Sequence, residues 1–331
     1  MLKKLLNDPF DAVDEMLDGF VTAHADVVRL AAPRVIGRRE PAHDKVGLVV
    51  GGGSGHEPAF AGYVGAGLAD AAACGNVFAA PSPDVCLDAI RAASSGRGVL
   101  LCYGNYAGDV LNFDLAAELA AGEGIATATL RVSDDVASAP PQDRAARRGI
   151  AGDLFVFKVA GAAAERGDDL AGVAALAGRA NDACRSLGVA LSACEVPGSG
   201  RPTFEIGPDE LEIGMGVHGE PGIRRGTLEP ADAVAEQMLE AILADWRADG
   251  VEGGEAALLV NGLGATPYMD LYVLYRAARR GLEAAGWTVS RSFVGEYVTS
   301  LEMAGASFSV LRLDDELRVL LDAPARTARL P

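Results

Sequence analysis

Cationic side chains are scarce in this chain, and their scarcity excludes several classes of partner. The 331 residues include 29 Lys and Arg against 46 Asp and Glu, which gives a formal net charge of −17 at pH 7. Binding to nucleic acid or to an anionic membrane needs a cationic face. We therefore expect neither nucleic acid nor a membrane among its partners.

Long apolar runs and cysteine pairs are missing as well. No run approaches the roughly 20 apolar residues that span a bilayer, and Met1–Pro9 lacks the apolar core of a signal peptide. We therefore expect a cytoplasmic protein. The five cysteines are odd in number and form no C-x-x-C pair, so the sequence predicts no disulfide framework and no zinc site. We expect no bound metal.

Apolar material is ample, and in the first half of the chain it alternates between strand-like and helix-like patterns. Hydrophobic residues make up 50% of the composition, enough for two cores. The predicted strands are Val46–Val50, Gly98–Tyr103 and Ile125–Val132, and the predicted helices are Asp109–Ala121, Asp153–Arg166 and Leu170–Leu187. This alternation predicts an α/β domain with a mostly parallel sheet covered by helices.

Strand candidates lie closer together in the second half, which favours a smaller α+β domain with a mixed sheet. The strand candidates are Val189–Val196, Thr203–Ile206, Leu211–His218, Ala257–Leu263, Val289–Val298 and Ala306–Leu313, and the helix candidates are Ala231–Trp246 and Thr266–Ala285. We place the first domain at residues 1–183 and the second at residues 184–331.

Glycine is concentrated after the first predicted strand, in Gly51-Gly-Gly-Ser-Gly-His-Glu-Pro58, and the segment Phe60–Leu68 beyond it could begin a helix. Glycines permit positive φ and let a ligand approach the backbone closely, and His56 can carry a proton near neutral pH. Ligands bind at the carboxyl ends of parallel strands. The segment Gly104–Asp109 also lies at such an end, after the second predicted strand. The predicted ligand site comprises Gly52, Gly53, Ser54, Gly55, His56, Gly104 and Asn105.

A second glycine-rich segment, Leu211–Gly222, contains another histidine. A strand running to His218 would place that residue on one face with Gly214 and Gly216. Because glycine weakens a strand, this bare face indicates space for a ligand or for another backbone.

Two of the four histidines, His56 and His218, lie in glycine-rich contexts followed by Glu-Pro, and we predict a functional role for both. We interpret His24 and His43 as surface or structural residues, because neither has such a neighbourhood.

Several acidic residues keep two interpretations. Asp109 can be the N-cap of a helix or a ligand-binding residue, and the pattern alone favours the cap. Asp134 and Asp135 can bind a metal or be solvated, and solvation is favoured. Glu57 and Glu220 can form a carboxylate pair or set the geometry of a turn.

No nucleotide-binding motif is evident, so we expect no cofactor on this chain. The glycine loop lacks the Lys-Ser/Thr pair of a P-loop. It also departs from the dinucleotide fingerprint, because Asp70 does not end a second predicted strand. No kinase catalytic loop follows it.

Taken together, the motifs resemble the substrate-binding subunit of dihydroxyacetone kinase, from Leu5 to about Pro324. The segments that carry the resemblance are Gly51–Pro58, Asn105–Phe113, Arg147–Gly152, Ile213–Gly222 and Ser300–Gly305. The resemblance implies a two-domain subunit, usually a homodimer, that binds a short ketose covalently. In the family, the histidine matching His218 adds to the substrate carbonyl and forms a hemiaminal. The Gly53 region and the aspartate matching Asp109 hold substrate hydroxyls, and the histidine matching His56 assists proton removal.

The resemblance also implies a partner that carries ATP or ADP with Mg. Family members use a separate or a fused nucleotide-binding unit, and because the sequence given stops at Pro331 we expect a separate subunit. Gly104 stands where phosphorelay-dependent members commonly have lysine. That form looks more like ATP-using relatives, some of which phosphorylate four-carbon or branched ketoses, so the substrate can be a tetrulose or a branched ketose such as erythrulose rather than dihydroxyacetone. The competing hypothesis is a non-catalytic ketose-binding or regulatory protein that keeps the covalent capture.

Overall fold

The computed structural model describes residues 3–330, which form two compact units. The first unit comprises residues 3–132, 153–180 and 317–330, and the second unit comprises residues 133–152 and 181–316. The sequence predicted a single boundary at residue 184, whereas the chain passes between the units several times. Residues 133–152 are rich in polar residues and include Pro140 and Pro141, but the alternation of strands and helices did not mark them as part of the second unit.

Strands and helices alternate along most of the chain. Within residues 3–330, the strands are β1 (Val28–Ala32), β2 (Val35–Arg38), β3 (Gly47–Ser54), β4 (Gly65–Ala66), β5 (Ala71–Val77), β6 (Val99–Gly104), β7 (Thr127–Val132), β8 (Cys184–Ala190), β9 (Glu210–Ile213), β10 (Arg224–Thr227), β11 (Gly254–Gly262), β12 (Trp287–Gly295), β13 (Gly305–Leu313) and β14 (Arg326–Thr327). The α-helices are α1 (Ala12–Ala23), α2 (Pro83–Ala93), α3 (Ala107–Gly122), α4 (Asp153–Arg166), α5 (Leu170–Asp182), α6 (Ala231–Ala248), α7 (Tyr268–Ala284) and α8 (Asp315–Asp322).

The first unit is built on a six-stranded sheet with the order β1-β2-β5-β3-β6-β7. The four strands β5, β3, β6 and β7 run parallel, and β1 and β2 extend one edge in antiparallel pairing. Val49, Leu101 and Phe113 belong to a core formed by the sheet with α2 and α3. Helix α4 contacts β3 and β6 and is buried from Asp153 to Ala164. The prediction of a mostly parallel sheet covered by helices is confirmed.

The second unit contains a mixed sheet with the order β10-β9-β8-β13-β11-β12. Only β11 and β12 pair in parallel, and the other neighbours are antiparallel. Helices α6 and α7 pack on this sheet through an apolar core that includes Met238, Leu271 and Phe308. The predicted α+β architecture with a mixed sheet is therefore also confirmed.

The glycine-rich segment is part of a strand and not a loop that follows one. Strand β3 continues to Ser54, and the next residues form only a short 3₁₀ helix, Ala61–Tyr63, where a helix was expected to begin. A side chain at Gly52 would place its Cβ 2.4 Å from the ring of Phe60. Glycine at this position therefore leaves the space in which the Phe60 ring packs against the backbone of β3. The sequence pattern could not separate this packing requirement from ligand binding.

Several other predicted elements differ from the structure; among them, the predicted strand Val189–Val196 overlaps only the end of β8, which stops at Ala190. Helix α5 stops at Asp182, because Cys184–Leu187 pair with β13 instead of continuing the helix. Strand β9 stops at Ile213 and does not reach His218, and the predicted strand Thr203–Ile206 is not formed. Sheet pairing, which local patterns do not encode, decides where α5 ends and β8 begins.

Two helical glycines provide a test of close packing in the first unit. A Cβ at Gly161 in α4 would lie 2.5 Å from the backbone of Leu68, whereas a Cβ at Gly178 in α5 would meet no atom within 4 Å. Gly161→Ala should destabilise the protein by about 1–3 kcal/mol through overpacking. Gly178→Ala should stabilise it by about 0.4–1 kcal/mol, because alanine favours the helix. Thermal unfolding midpoints would measure both, and a higher midpoint for Gly161→Ala would contradict the packing argument.

Candidate functional site

His218 lies in an irregular segment that follows β9 in the second unit. Gly214, just after β9, has a φ of +83°, a left-handed conformation that glycine adopts without strain. The chain therefore turns out of the strand, and the predicted placement of His218 on a strand face is wrong. The carbonyl of Val217 accepts a hydrogen bond from the fully buried hydroxyl of Ser300. This bond fixes the backbone immediately before the histidine.

The His218 ring contacts a carboxylate two residues further along the chain. Its Nδ1 lies 3.0 Å from Glu220 Oε1, and its backbone N–H donates to Glu220 Oε2 at 3.0 Å. The side chain of His218 is 24% exposed, so the ring is partly accessible. Burial opposes ionisation of Glu220, but the hydrogen bond and the charge of His218 lower the pKa of Glu220 to about 2. Glu220 is thus a carboxylate at neutral pH.

This pairing determines which nitrogen of the neutral ring carries a proton. A carboxylate can only accept hydrogen bonds, so Nδ1 of His218 must be the protonated nitrogen that donates to Glu220. The lone pair of the neutral ring then lies on Nε2. A nitrogen with a lone pair can act as a nucleophile towards a carbonyl carbon, so the local geometry suits covalent capture.

His56 is buried in the first unit, with only 3% of its surface exposed. Its ring stacks on Phe78 with a centroid separation of 5.1 Å and an interplanar angle of 23°. The turn that presents Phe78 packs directly on β3, and a Cβ at Gly53 would come within 2.7 Å of the amide nitrogen of Ala79. Gly53 therefore allows the turn to approach the strand and to position the aromatic ring beside His56.

Asp109 is not the N-cap that the pattern favoured. Helix α3 begins at Ala107 with Tyr106 as its N-cap, so Asp109 occupies the third position of the first turn. A negative charge there is stabilised by the helix N-terminus. The residue is buried, and its charge adds to burial in raising the pKa of Cys86. A buried carboxylate at a helix start can both stabilise the helix and bind a polar ligand.

The remaining predicted binding residues of the first unit lie at or just after the carboxyl ends of β3 and β6. Gly104 ends β6 and is buried, and the amide of Asn105 donates to the carbonyl of Val132 at 3.0 Å. The hydroxyl of Ser54 donates to the carbonyl of Gly75 at 2.8 Å. These bonds hold the carboxyl ends of β3 and β6 in place.

Glu57 has different hydrogen-bond partners from Glu220. It follows His56 directly, whereas Glu220 lies two residues after His218. The amide of Gly55, which has a φ of +97°, donates to both oxygens of Glu57 at 3.1 and 3.0 Å. Burial raises the pKa of Glu57, and the hydrogen bond from Gly55 opposes that shift. Each of the two glutamates therefore binds a group in its own segment, which favours local roles over a carboxylate pair.

Asp134 and Asp135 are neither solvated nor part of a metal cluster among residues 3–330. The amides of Ile150 and Gly152 donate to Asp134 at 2.8 and 2.9 Å, and Asp135 pairs with Arg148. Both carboxylates hold residues 133–152 in the second unit. In the described part of the chain, no helix has the length and apolar character to cross a membrane.

The predicted site residues divide between the units: His56 and Asp109 belong to the first and His218 to the second. A cavity of about 310 Å³ in the second unit contains none of them. It is lined by Val189, Leu191, Leu228, Glu229, Ala231, Val234, Thr266, Asp270, Val273, Leu274, Gly305 and Ala306. Sequence reasoning gave Ser300 no role of its own and left Glu220 ambiguous. The signal that could have identified Glu220 is its position two residues after His218.

The chain is similar to known proteins along almost its whole length. Residues 18–329 match the Dak1 domain family. The PTS-dependent dihydroxyacetone kinase 2, dihydroxyacetone-binding subunit DhaK, of Listeria innocua is 46% identical over 329 residues, which cover 98% of each chain. The L-erythrulose 1-kinase of Mycolicibacterium smegmatis is 45% identical over 325 residues, or 98% of this chain and 57% of that protein.

Solved structures give the same result for the fold. The dihydroxyacetone kinase of C. freundii superimposes with a TM-score of 0.89 at 35% identity, covering 100% of this chain and 60% of that one. The dihydroxyacetone kinase operon co-activator Dha-DhaQ superimposes with a TM-score of 0.88 at 32% identity, and the match covers 94% of this chain and 96% of the co-activator. The chain thus spans about three-fifths of the C. freundii kinase and nearly all of the co-activator.

The Glu220–His218 pair predicts a pH dependence of stability. Because the folded-state pKa of Glu220 lies near 2, below its ordinary value of 4.5, the carboxylate contributes stability above pH 4.5. That contribution is lost as the pH falls towards 2. Glu220→Gln should therefore lower the thermal midpoint at pH 7 and differ less from the wild type at pH 3. Glu236→Gln, at an exposed position of α6, is the control and should differ little at either pH. A Glu220→Gln deficit that stays constant between pH 7 and pH 3 would contradict the pairing.

Proposed function

The chain belongs to the Dak1 domain family, and from that membership we propose that it is the ketose-binding subunit of a dihydroxyacetone-type kinase. Such an enzyme transfers a phosphoryl group to an alcohol group of a short ketose. The observation that carries the proposal is the 3.0 Å contact between His218 Nδ1 and the Glu220 carboxylate. This contact prepares Nε2 for covalent capture of a carbonyl compound.

Capture follows from ordinary carbonyl chemistry. Nε2 of His218 forms a bond to the carbonyl carbon of the ketose, and the π electrons move to the carbonyl oxygen, which takes up a proton. The product is a hemiaminal, and the positive charge that develops on the ring is stabilised by Glu220. Because only a carbonyl can react, this step selects ketoses and aldoses over plain polyols.

Transfer of the phosphoryl group needs mainly positioning and charge stabilisation. A covalent tether removes much of the freedom of the substrate before the donor arrives. We assign to His56 the removal of the proton from the hydroxyl that attacks phosphorus, and to Asp109 and the Gly53 region the binding of substrate hydroxyls. The burial of His56 and Asp109 supports these roles, because polar interactions are stronger away from water.

The phosphoryl donor belongs to a separate nucleotide-binding subunit in this proposal. The Listeria relative, which this chain covers to 98%, is named as a dihydroxyacetone-binding subunit of a PTS-dependent kinase. That naming supports a division of substrate and nucleotide between chains. The partner carries ATP or ADP with Mg, and this chain forms a homodimer.

The substrate is dihydroxyacetone or a ketose one carbon longer. Gly104 supports a wider pocket, since a lysine at the end of β6 would add a long charged side chain beside Asn105 and Asp109. The similarity to L-erythrulose 1-kinase supports the longer substrate. One carbon unit in a pocket is worth about 1–3 kcal/mol, so we expect a preference and not exclusion of the triose.

A second candidate function is regulation without turnover. The 32% identity with the operon co-activator, over 94% of this chain, favours it. A regulator would capture a ketose but would not support its phosphorylation. The presence of His56 and Asp109 together with His218 supports the kinase.

His218→Ala should abolish covalent capture, because the nucleophilic nitrogen is removed. With dihydroxyacetone labelled with ¹³C at its carbonyl carbon, NMR of the isolated protein should show a bound tetrahedral carbon for the wild type and none for the variant. His43→Ala, at an exposed histidine, is the matched control and should capture normally. A tetrahedral adduct that persists in His218→Ala would remove the hemiaminal from the mechanism.

His56→Asn and Asp109→Asn should separate capture from transfer. The wild type should phosphorylate dihydroxyacetone and erythrulose when the nucleotide-binding subunit and Mg-ATP are present, and not without that subunit. Both variants should still capture the ketose, because His218 is unchanged and asparagine at position 109 can still hydrogen-bond a substrate hydroxyl. His56→Asn should turn over about 10²–10⁴-fold more slowly, the usual loss when general acid–base assistance is removed, and Asp109→Asn should also turn over more slowly, because the hydroxyl is held less exactly. Parallel loss of capture and turnover would make these residues substrate clamps. Capture without any turnover in the wild type would favour the regulator.

A further inference from the structure

The two arginines of the Arg147–Gly152 motif have different partners in the second unit. Arg147 is fully buried and donates to both oxygens of Asp245, through Nη1 at 3.1 Å and Nη2 at 2.5 Å. Arg148 instead binds Asp135 Oδ2, through Nε at 2.9 Å and Nη2 at 2.7 Å. The first arginine therefore anchors the segment to helix α6, and the second is directed towards another part of the unit.

Asp135 and its neighbours hold Arg148 from several directions. The Asp135 side chain is 1% exposed, and its Oδ1 accepts a hydrogen bond from the amide of Ala137 at 3.0 Å. The amide of Asp135 donates to the carbonyl of Arg148 at 3.1 Å. The amide of Arg148 donates to the Ser138 hydroxyl at 3.0 Å, and that hydroxyl donates to the Asp135 carbonyl at 2.8 Å. These hydrogen bonds therefore hold the Arg148 guanidinium in place.

The far side of the guanidinium faces the segment that carries the histidine. Nη2 of Arg148 donates to the carbonyl of Gly214 at 3.2 Å, and Nη1 lies 3.9 Å from Glu220 Oε2. A Cβ at Gly216 would lie 2.1 Å from Glu220 Oε2 and 2.6 Å from Arg148 Nη1. The missing side chain at Gly216 thus makes the room in which the guanidinium and the carboxylate meet.

We propose that Arg148 is a positioning residue for His218: held by Asp135, it fixes the Glu220 carboxylate that orients the imidazole. This inference rests on the proposed role of His218 as the nucleophile. Asp135 balances the charge of Arg148, so the negative charge of Glu220 remains for the ring when addition to a carbonyl makes that ring positive. A carboxylate free to rotate would let the neutral ring exchange its proton between the two nitrogens, and only one tautomer presents Nε2 as a nucleophile.

The tautomer of His218 can be read by ¹⁵N NMR without any substrate. The chain has only four histidines, and the His218 signals are identified by their disappearance in His218→Ala. The wild type should show the Nδ1–H tautomer. Arg148→Met should show a mixture of tautomers and a dissociation constant for dihydroxyacetone raised about 2–10-fold, because only the fraction of the ring in the Nδ1–H tautomer can react. Arg148→Lys should fall between the two, because lysine keeps the charge but not the planar fork.

Arg144→Met is the matched control. Arg144 lies in the same segment and pairs with Asp249 at 2.5 Å, so its loss should lower stability but alter neither the His218 signals nor capture. Wild-type tautomer and capture in a folded Arg148→Met would overturn the proposal. If circular dichroism shows that Arg148→Met is unfolded, Arg148→Lys and Asp135→Asn take its place, and wild-type readings in both would overturn it equally. Ketose capture that persists in His218→Ala would refute the proposed role of His218 as the nucleophile, while the tautomer comparison would still decide whether Arg148 orients the ring.

Discussion

Buried carboxylates, each of which needs donors, hold distant parts of this chain together. In the first unit, Asp70 accepts hydrogen bonds from Lys45 Nζ and from the amide of Leu48, both at 2.7 Å. In the second unit, Asp245 binds Arg147 and Arg185, which lie 98 and 60 residues away in sequence. An uncompensated buried charge costs several kcal/mol, so each carboxylate fixes the segments that supply its donors. The acidic composition thus contributes to the interior as well as to the surface.

The same physical requirement shapes the surroundings of His218. Glu220 is partly buried, and it is satisfied by the backbone and ring of that histidine, with Arg148 nearby. Electrostatics and reactivity are therefore coupled, because the contact that stabilises the carboxylate also determines the tautomer of the ring. Asp135 differs, since burial raises its pKa to about 6 against the opposing charge of Arg148. It anchors the arginine and does not face the ring.

Glycine contributes through space more than through flexibility. Gly53 lets the turn at Phe78 pack on β3. Gly216 leaves the space that the Arg148 guanidinium and the Glu220 carboxylate occupy next to each other. In both places a methyl group would overlap protein atoms. Glycine-rich segments near a histidine can therefore indicate close packing of the protein on itself, and such packing positions the candidate side chains.

The sequence by itself determined the two kinds of sheet and the family, and it singled out His56 and His218 as candidates, because alternation of apolar segments and long motifs are local properties of the chain. Only the tertiary structure decided where β9 ends, that Asp109 follows the cap of α3, and that Arg148 reaches Glu220. These features depend on pairing and ion contacts between residues far apart in sequence. The spacing His-x-Glu was visible in the sequence, but whether its carboxylate meets a ring nitrogen or a backbone amide depends on how the chain turns, and that is fixed by packing.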